Sequence, residues 1–291
     1  MTVIGFVGPG VMGRPMAANL VSAGHDVRIF ARSPGGRDRA SSTGAVVVAS
    51  IQEACERADL VITMLPDGPA VLSILPELLK SMRDDAVLVD HSTISPGESE
   101  RVHQAATRSG IRCLDAPVSG GEAGAVQGKL SIMVGGDEAT FEDVRSVLEA
   151  MGTTVVHVGD AGSGQVVKAA NQLMVAGHIQ MLAEALVFLR AHGTDLRKAL
   201  DVLGGGLAGS TVIERKRDAM LDGNFAPGFR ITLHDKDLGI VGDAMRDRGL
   251  ALPATSLMAS LVAAVKSRGG ADLDHSALYG LALALNGMSE R

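Results

Sequence analysis

The run Gly8-Pro9-Gly10-Val11-Met12-Gly13 sets three glycines at the spacing a pyrophosphate-binding turn requires. It follows an apolar segment, Thr2 to Val7, and leads into a helical pattern. In that setting the first glycine permits the tight turn, the second lets backbone approach the pyrophosphate, and the third lets helix and strand pack closely. The helix N-terminus then presents N–H groups to the anion. Gly8, Gly10, Val11, Met12 and Gly13 are therefore the expected dinucleotide contacts, the plain alternative being a glycine-rich turn with no ligand. The next strand ends Ile29-Phe30-Ala31-Arg32-Ser33, with Arg37 nearby and no acid. An acid there hydrogen-bonds a ribose diol, whereas an arginine accommodates a 2′-phosphate. The expected cofactor is thus NADP in preference to NAD, contacted by Arg32; if Arg32 and Arg37 are simply solvated surface charges, that preference falls. Met64-Leu65-Pro66 and Asp90-His91-Ser92-Thr93 end two later strands, at the sheet edge where such a cofactor lies.

Hydride transfer also needs a group that exchanges a proton with the carbonyl oxygen. A Tyr-x-x-x-Lys pair is excluded, since the single tyrosine is Tyr279 and Leu283 stands four positions on. None of the eight histidines is singled out by an acidic partner in sequence. No catalytic zinc is expected from two isolated cysteines, Cys55 and Cys113, which read as reduced thiols. Lysine is the better candidate. In Gly162-Ser163-Gly164-Gln165-Val166-Val167-Lys168-Ala169-Ala170-Asn171-Gln172, Lys168 sits near a helix start with Asn171 three residues on, on the same face. Small apolar neighbours and a second cation could lower a lysine's pKa toward neutrality. A lysine snorkelling at a helix surface fits the same spacing, and spacing alone leaves both readings open.

The elements that must position these groups follow from periodicity. Thr2 to Val7, Asp26 to Ala31, Ala45 to Val48, Leu60 to Leu65, Ala86 to Val89 and Ile111 to Leu114 read as strands, and Leu130 to Val134 and Thr153 to Val158 extend the same sheet. Helices fill the gaps, as from Met12 to Ala23, closed by Gly24 as a left-handed cap. Alternation of this kind gives a mostly parallel α/β sheet with crossover helices. After Gly159, Gly162 and Gly164 the pattern turns helical. Long helices are expected at Val166 to Ala191, Asp195 to Leu203, Thr211 to Leu221, Leu233 to Arg248, Thr255 to Arg268 and Ser276 to Leu285. Two domains are expected, 1–162 for dinucleotide binding and 163–291, all helical, for substrate and association.

Composition narrows the partners. A formal net charge of −6 argues against nucleic acid and against anionic membranes. Aromatic residues make up 2% of the chain, with no tryptophan, so base-stacking surfaces are hard to build. His178, Gln180 and Glu184 interrupt the longest apolar stretch, Leu173 to Leu189, so no membrane-spanning segment is expected. The N-terminus carries no secretory pattern, and the expected location is cytoplasmic.

Four motifs, taken in order, resemble the β-hydroxyacid dehydrogenase family over essentially the whole chain. They are Gly5 to Gly13 with Pro15-Met16-Ala17 and Asn19-Leu20, then Asp115-Ala116-Pro117-Val118-Ser119-Gly120-Gly121, then Gly164 to Lys168 with Asn171, and Lys236-Asp237-Leu238. The resemblance implies a Rossmann-type, doubly wound domain followed by an all-α domain, with the active site in the cleft between them. It implies Lys168 as the catalytic proton donor. By the same resemblance, Ser119, Gly120 and Gly121 hold the substrate carboxylate, Asn171 orients the substrate, and Thr93 lies by the nicotinamide. Lys236 would contact the cofactor, Asp237 belongs to the same cleft motif, and Phe229 helps close the pocket. Homo-oligomers, dimers or tetramers, are expected from the family.

Within the family, Gln172 after Asn171, Gly205 to Thr211, Asn224 to Arg230 and Asp274 to Leu278 are similar to the tartronate semialdehyde reductase subgroup more than to the isobutyrate enzymes. Reduction of tartronate semialdehyde to D-glycerate is the expected reaction, with a small carboxylate-bearing aldehyde or hydroxyacid as substrate. The alternatives are 3-hydroxyisobutyrate, glyoxylate or succinic semialdehyde as substrate, an imine reductase, and a non-catalytic cofactor-binding protein.

Overall fold

Nine strands and the helices between them follow the alternation of β-branched runs and amphipathic segments in the first part of the chain. In order these are β1 (Val3–Val7), α1 (Gly13–Ser22), β2 (Asp26–Phe30), α2 (Pro34–Ala40), β3 (Val46–Val48), α3 (Ile51–Cys55), β4 (Leu60–Thr63) and α4 (Gly68–Ser81). There follow β5 (Val87–Asp90), α5 (Pro96–Arg108), β6 (Arg112–Asp115), β7 (Val118–Ser119), α6 (Gly121–Val126), β8 (Leu130–Gly136), α7 (Glu138–Leu148) and β9 (Gly152–Gly159). The computed structural model describes residues 1–289. Its contacts divide the chain into two compact units, Met1–Lys168 and the part from Ala169 onward.

The sheet of the first unit runs β3-β2-β1-β4-β5-β6-β8-β7, with β9 paired to β8. Strands β1 to β6 are parallel; β8 is antiparallel to β6 and to β7, and β9 is parallel to β8. Strands β4 and β5 are buried along their whole length, as strands covered on both faces must be. Leu60, Ile62, Val87 and Val89 meet Phe6, Met16 and Leu20 in one core cluster, each such side chain contributing about 1.5–3 kcal/mol. Chain order reverses between β1 and β4, and in open α/β sheets the crevice beyond the strand ends at that point is where ligands bind. The expected strands and the parallel sheet are present. Strand β7, two residues long, was too short to show a period, and Gly24 closes α1 at φ +86° as expected.

Helix α8 (Ser163–Ala191) is followed by α9 (Leu196–Gly205), α10 (Thr211–Leu221), α11 (Ile231–Asp247), α12 (Pro253–Val265) and α13 (Leu278–Leu285). Ala176, Ile179, Leu182, Ala183 and Leu186 of α8 join Leu200, Ile231, Val262 and Leu283 in the core of the second unit. By length and composition alone α8 is long and apolar enough to cross a membrane, with a mean hydropathy of 1.4 over an 18-residue window, a test that a buried core helix also passes. His178 and Gln180 carry no formal charge, so they interrupt the apolar run without lowering its mean far. In that window 44% of residues are buried within the protein, as befits the core helix of a helical unit.

Candidate active site

The glycine turn is built as its three positions demand. Gly8 has φ +105°, and a Cβ there would collide with the carbonyl oxygen of Met64 at the end of β4. A Cβ on Gly13 would collide with the carbonyl oxygen of Gly8. Gly10, in contrast, is exposed and a Cβ would meet nothing within 4 Å. The first and third glycines are thus required by packing, whereas the second faces open space, where a phosphate can approach. Helix α1 begins with no side-chain cap and no acid in its first turn, which suits an anion at its N-terminus. Val11 is exposed and Met12 packs partly on the core. At the end of β2, Ala31 is buried, Arg32 exposed and Arg37 half-buried.

Two neighbouring strand ends are tied together. Asp90 Oδ1 accepts from Thr63 Oγ1 at 2.7 Å and from the Ser92 amide at 3.1 Å. The Leu65 amide donates to Ser92 Oγ at 2.9 Å. The Met64-Leu65-Pro66 and Ser92-Thr93 segments are therefore held in one arrangement by side chains of β4 and β5. Burial pushes the Asp90 carboxyl up to about 6, against hydrogen bonds that favour its ionised form. Burial likewise holds His91 down to about 4, its Nδ1 lying 2.5 Å from the Ala116 carbonyl oxygen. Burial raises both thiols, Cys55 to about 12, and Cys113 has the added repulsion of Asp90 and Asp115.

Lys168 is buried, at 6% exposure, and its Nζ donates to the Val118 carbonyl oxygen at 2.8 Å. That places the ammonium at β7, directly before Gly120 (φ +132°) and Gly121 (φ +63°), with Ser119 half-buried between. The surface-lysine reading therefore fails. The start of α8 is fixed by a carboxylate from β6: Asp115 Oδ1 accepts from the Gly162 amide at 2.7 Å and Oδ2 from the Gln165 amide at 3.0 Å. Helix α1, which follows the glycine turn, is linked to α6 through Asn19 Nδ2, which donates to the Ala125 carbonyl oxygen at 2.7 Å.

In the second unit, Asn171 Nδ2 donates to Gln172 Oε1 at 2.8 Å, and Gln172 Nε2 donates to Asp237 Oδ2 at 2.5 Å. Lys236 Nζ lies 3.1 Å from Asp237 Oδ1. Phe229 packs edge-on against His234 and His275, with centroids 5.6 Å and 5.5 Å away, and its amide donates to Asp274 at 2.9 Å. Asn171, Lys236 and Asp237 are thus joined in one network through Gln172.

A family model described as the NAD binding domain of 6-phosphogluconate dehydrogenase matches residues 3–159, and one described as NAD-binding of NADP-dependent 3-hydroxyisobutyrate dehydrogenase matches residues 162–282. The 2-hydroxy-3-oxopropionate reductase of Escherichia coli is 41% identical over 94% of this chain and 95% of its own. The structure of Mycobacterium tuberculosis 3-hydroxyisobutyrate dehydrogenase with L-serine superposes with a TM-score of 0.88 at 38% identity, covering 97% of this chain and 99% of that one. A structure of Psf3 in complex with NADP+ and 2-OPP gives 0.88 at 26% identity, covering 96% and 99%.

The chain belongs to the β-hydroxyacid dehydrogenase family. Like its relatives, this β-hydroxyacid dehydrogenase is an NAD(P)-dependent oxidoreductase with a Rossmann-type sheet followed by a helical domain. Two site residues escaped the sequence reading of it. Asp115 and Gln165 both lie in motifs that were legible, yet their partners stand 47 to 73 residues away, and no local pattern reports such bonds. The one available signal was a lone acid ending β6 ahead of a glycine-rich helix start.

Proposed function

We propose that this chain reduces tartronate semialdehyde to D-glycerate, reversibly, with NADPH preferred over NADH and Lys168 as proton donor. The observation that carries the reading is the buried Lys168 ammonium, held at the Val118 carbonyl beside Ser119, Gly120 and Gly121. When bound, a reduced nicotinamide dinucleotide supplies the hydride to the aldehyde carbon. As the carbonyl π pair moves onto oxygen, Lys168 gives that oxygen its proton and is left as the neutral amine. Ser119 with the Gly120 and Gly121 amides is the proposed carboxylate holder, its donors set in advance where negative charge must sit. Gly8, Gly10, Val11, Met12, Gly13, Arg32, Met64, Leu65, Pro66, Thr93 and Lys236 are the proposed cofactor contacts. Asn171, Asp237 and Phe229 are assigned to the substrate. Residues 1–162 are assigned to the cofactor and 163–291 to substrate and association.

The 41% identity to a 2-hydroxy-3-oxopropionate reductase supports this substrate. Similarity to a 3-hydroxyisobutyrate dehydrogenase at 38% supports the second reading, the same chemistry on 3-hydroxyisobutyrate. Steady-state rates on tartronate semialdehyde, methylmalonate semialdehyde, glyoxylate and succinic semialdehyde, each with NADPH and NADH, separate the two. The first reading requires the highest kcat/KM on tartronate semialdehyde, and indifference to it overturns that reading. Association into a dimer or tetramer is part of the proposal, supported by Met174, Met181 and Phe188, exposed at seven-residue intervals along α8. Light scattering after size exclusion reads it.

A further inference from the structure

Gln165 is almost wholly buried, at 1% exposure, one turn before Lys168 on α8. Its side-chain amide is used at both ends on a single short segment. Nε2 donates to the Ser92 carbonyl oxygen at 2.8 Å, and Oε1 accepts from the Ile94 amide at 3.2 Å. The two bonds straddle Thr93. Ser92 is in turn fixed by Asp90 and holds the Leu65 amide, so both strand ends on which the dinucleotide would lie are coupled to α8 through this one amide. The main-chain amide of Gln165 meanwhile donates to Asp115, which fixes the helix start itself.

We propose that Gln165 is a positioning residue for the reaction: it sets the Ser92–Ile94 segment, and with it Thr93, at a fixed distance from the turn of helix that carries Lys168. The proposal rests on the reading of Lys168 as proton donor and Thr93 as a nicotinamide neighbour. Hydride and proton must reach adjacent atoms of one carbonyl, so the surfaces that hold donor dinucleotide and donor ammonium have to be in register. A misplacement of about 1 Å in such an arrangement can lower the rate on the order of 100-fold. An amide is suited to this task because it gives one donor and one acceptor in a plane, matching the Ser92 carbonyl and the Ile94 N–H. A carboxylate in its place offers no donor to Ser92, and an apolar chain offers neither bond.

Gln165→Met, of similar length and volume, and Gln165→Glu, which retains an acceptor for Ile94, test this in the full chain. Expected for Gln165→Met are a fall in kcat of about 30- to 100-fold, a change in KM and in dinucleotide Kd of less than about threefold, and a raised primary deuterium isotope effect with labelled reduced cofactor. Hydrogen exchange at the Ile94 amide of the cofactor-free protein should quicken at least about tenfold. Gln165→Glu should lose less turnover than Gln165→Met. Parental kcat in Gln165→Met despite faster Ile94 exchange overturns the positioning role, as does unchanged Ile94 exchange, or a loss of turnover matched by an equal loss of dinucleotide affinity. If the parent turns over none of the aldehydes, the proposed function itself fails and takes this role with it, an outcome distinct from an active parent with an active Gln165→Met variant.

Discussion

Lys168 Nζ and the Val118 carbonyl oxygen stand 2.8 Å apart, so the ammonium proposed as proton donor is anchored to the strand that delivers the proposed carboxylate loop. Val118 pairs with Ile132 and Ser119 with Ser131 across β8, which makes that anchor part of the sheet and no feature of a mobile loop. The proposed proton donor and the proposed anion holder, fixed to the same two-residue strand, keep a constant spacing.

Replacing Lys168 by alanine removes the proposed donor and leaves the glycine turn untouched. Positioned acid catalysis is worth about 10²- to 10⁴-fold, so kcat should fall by at least about 10³-fold while dinucleotide affinity, followed by the emission of the reduced cofactor, stays within about threefold. Loss of the buried bond at Val118 should also lower stability by about 1–3 kcal/mol. Near-parental turnover would assign the proton to another group.

The glycines of the turn separate into two kinds, and substitution should separate them too. Gly10→Ala adds a methyl where nothing lies within 4 Å, so thermal stability should hold while cofactor Kd rises about tenfold or more. Gly13→Ala drives a methyl into the Gly8 carbonyl, a backbone atom that cannot step aside cheaply. Its cost should be about 1–3 kcal/mol of stability, visible as a Tm lowered by several degrees in the absence of any cofactor. Equal Tm values for the two variants would contradict this division of roles.

The start of α8 shows what sequence does and does not carry. Its pattern predicts a helix from Val166, because Gly162, Ser163 and Gly164 are poor helix formers. The helix instead begins at Ser163, where Asp115, some fifty residues earlier, accepts the Gly162 and Gln165 amides and the Asp160 carbonyl oxygen accepts from the Ser163 amide. A Cβ on Gly164 would collide with the Asp115 side chain and the Met133 carbonyl, so glycine there reports close approach where propensity reads only weakness. Strands β1, β3, β4 and β5 were legible as mostly apolar runs between turn signals, and β2 because buried Val27 and Ile29 alternate with Asp26 and Arg28. The glycine turn was legible as a motif because its glycines stand within six residues, whereas the spacing around Lys168 left a surface lysine equally open until the fold buried it, and the bonds of Gln165 to Ser92 and Ile94 are ones that only the fold brings within reach.

Cofactor choice should turn on the exposed Arg32 at the end of β2, where Ala31 stands in the position at which an acid would bind a ribose diol. The parent should prefer NADPH by at least about tenfold in kcat/KM, since an arginine there matches a 2′-phosphate by charge and by its paired N–H groups. Arg32→Ala should remove most of that preference by weakening NADPH, with NADH affected less than about threefold. A tenfold preference of the parent for NADH would refute the assignment.

Adjacent residues Asp90 and His91 should make opposite contributions to the pH dependence of stability. Asp90 ionises at about 6 in the folded chain against 3.8 unfolded, so between those values acidification protonates the folded state alone and stabilises it. His91 titrates at about 4 in the folded chain against 6.5 unfolded, so over nearly the same range acidification protonates the unfolded state alone and destabilises the fold. Each slope approaches about 1.4 kcal/mol per pH unit near pH 5, and in the parent the two largely cancel. Asp90→Asn should therefore lose stability relative to the parent as pH falls from 6 to 5, and His91→Gln should gain it. His275, held by burial at about 3, is common to all three proteins and drops out of the comparison. Urea midpoints for parent and both variants at pH 6 and pH 5 measure the two slopes; equal slopes in all three would mean that the Asp90 and His91 protons are not linked to folding in this way.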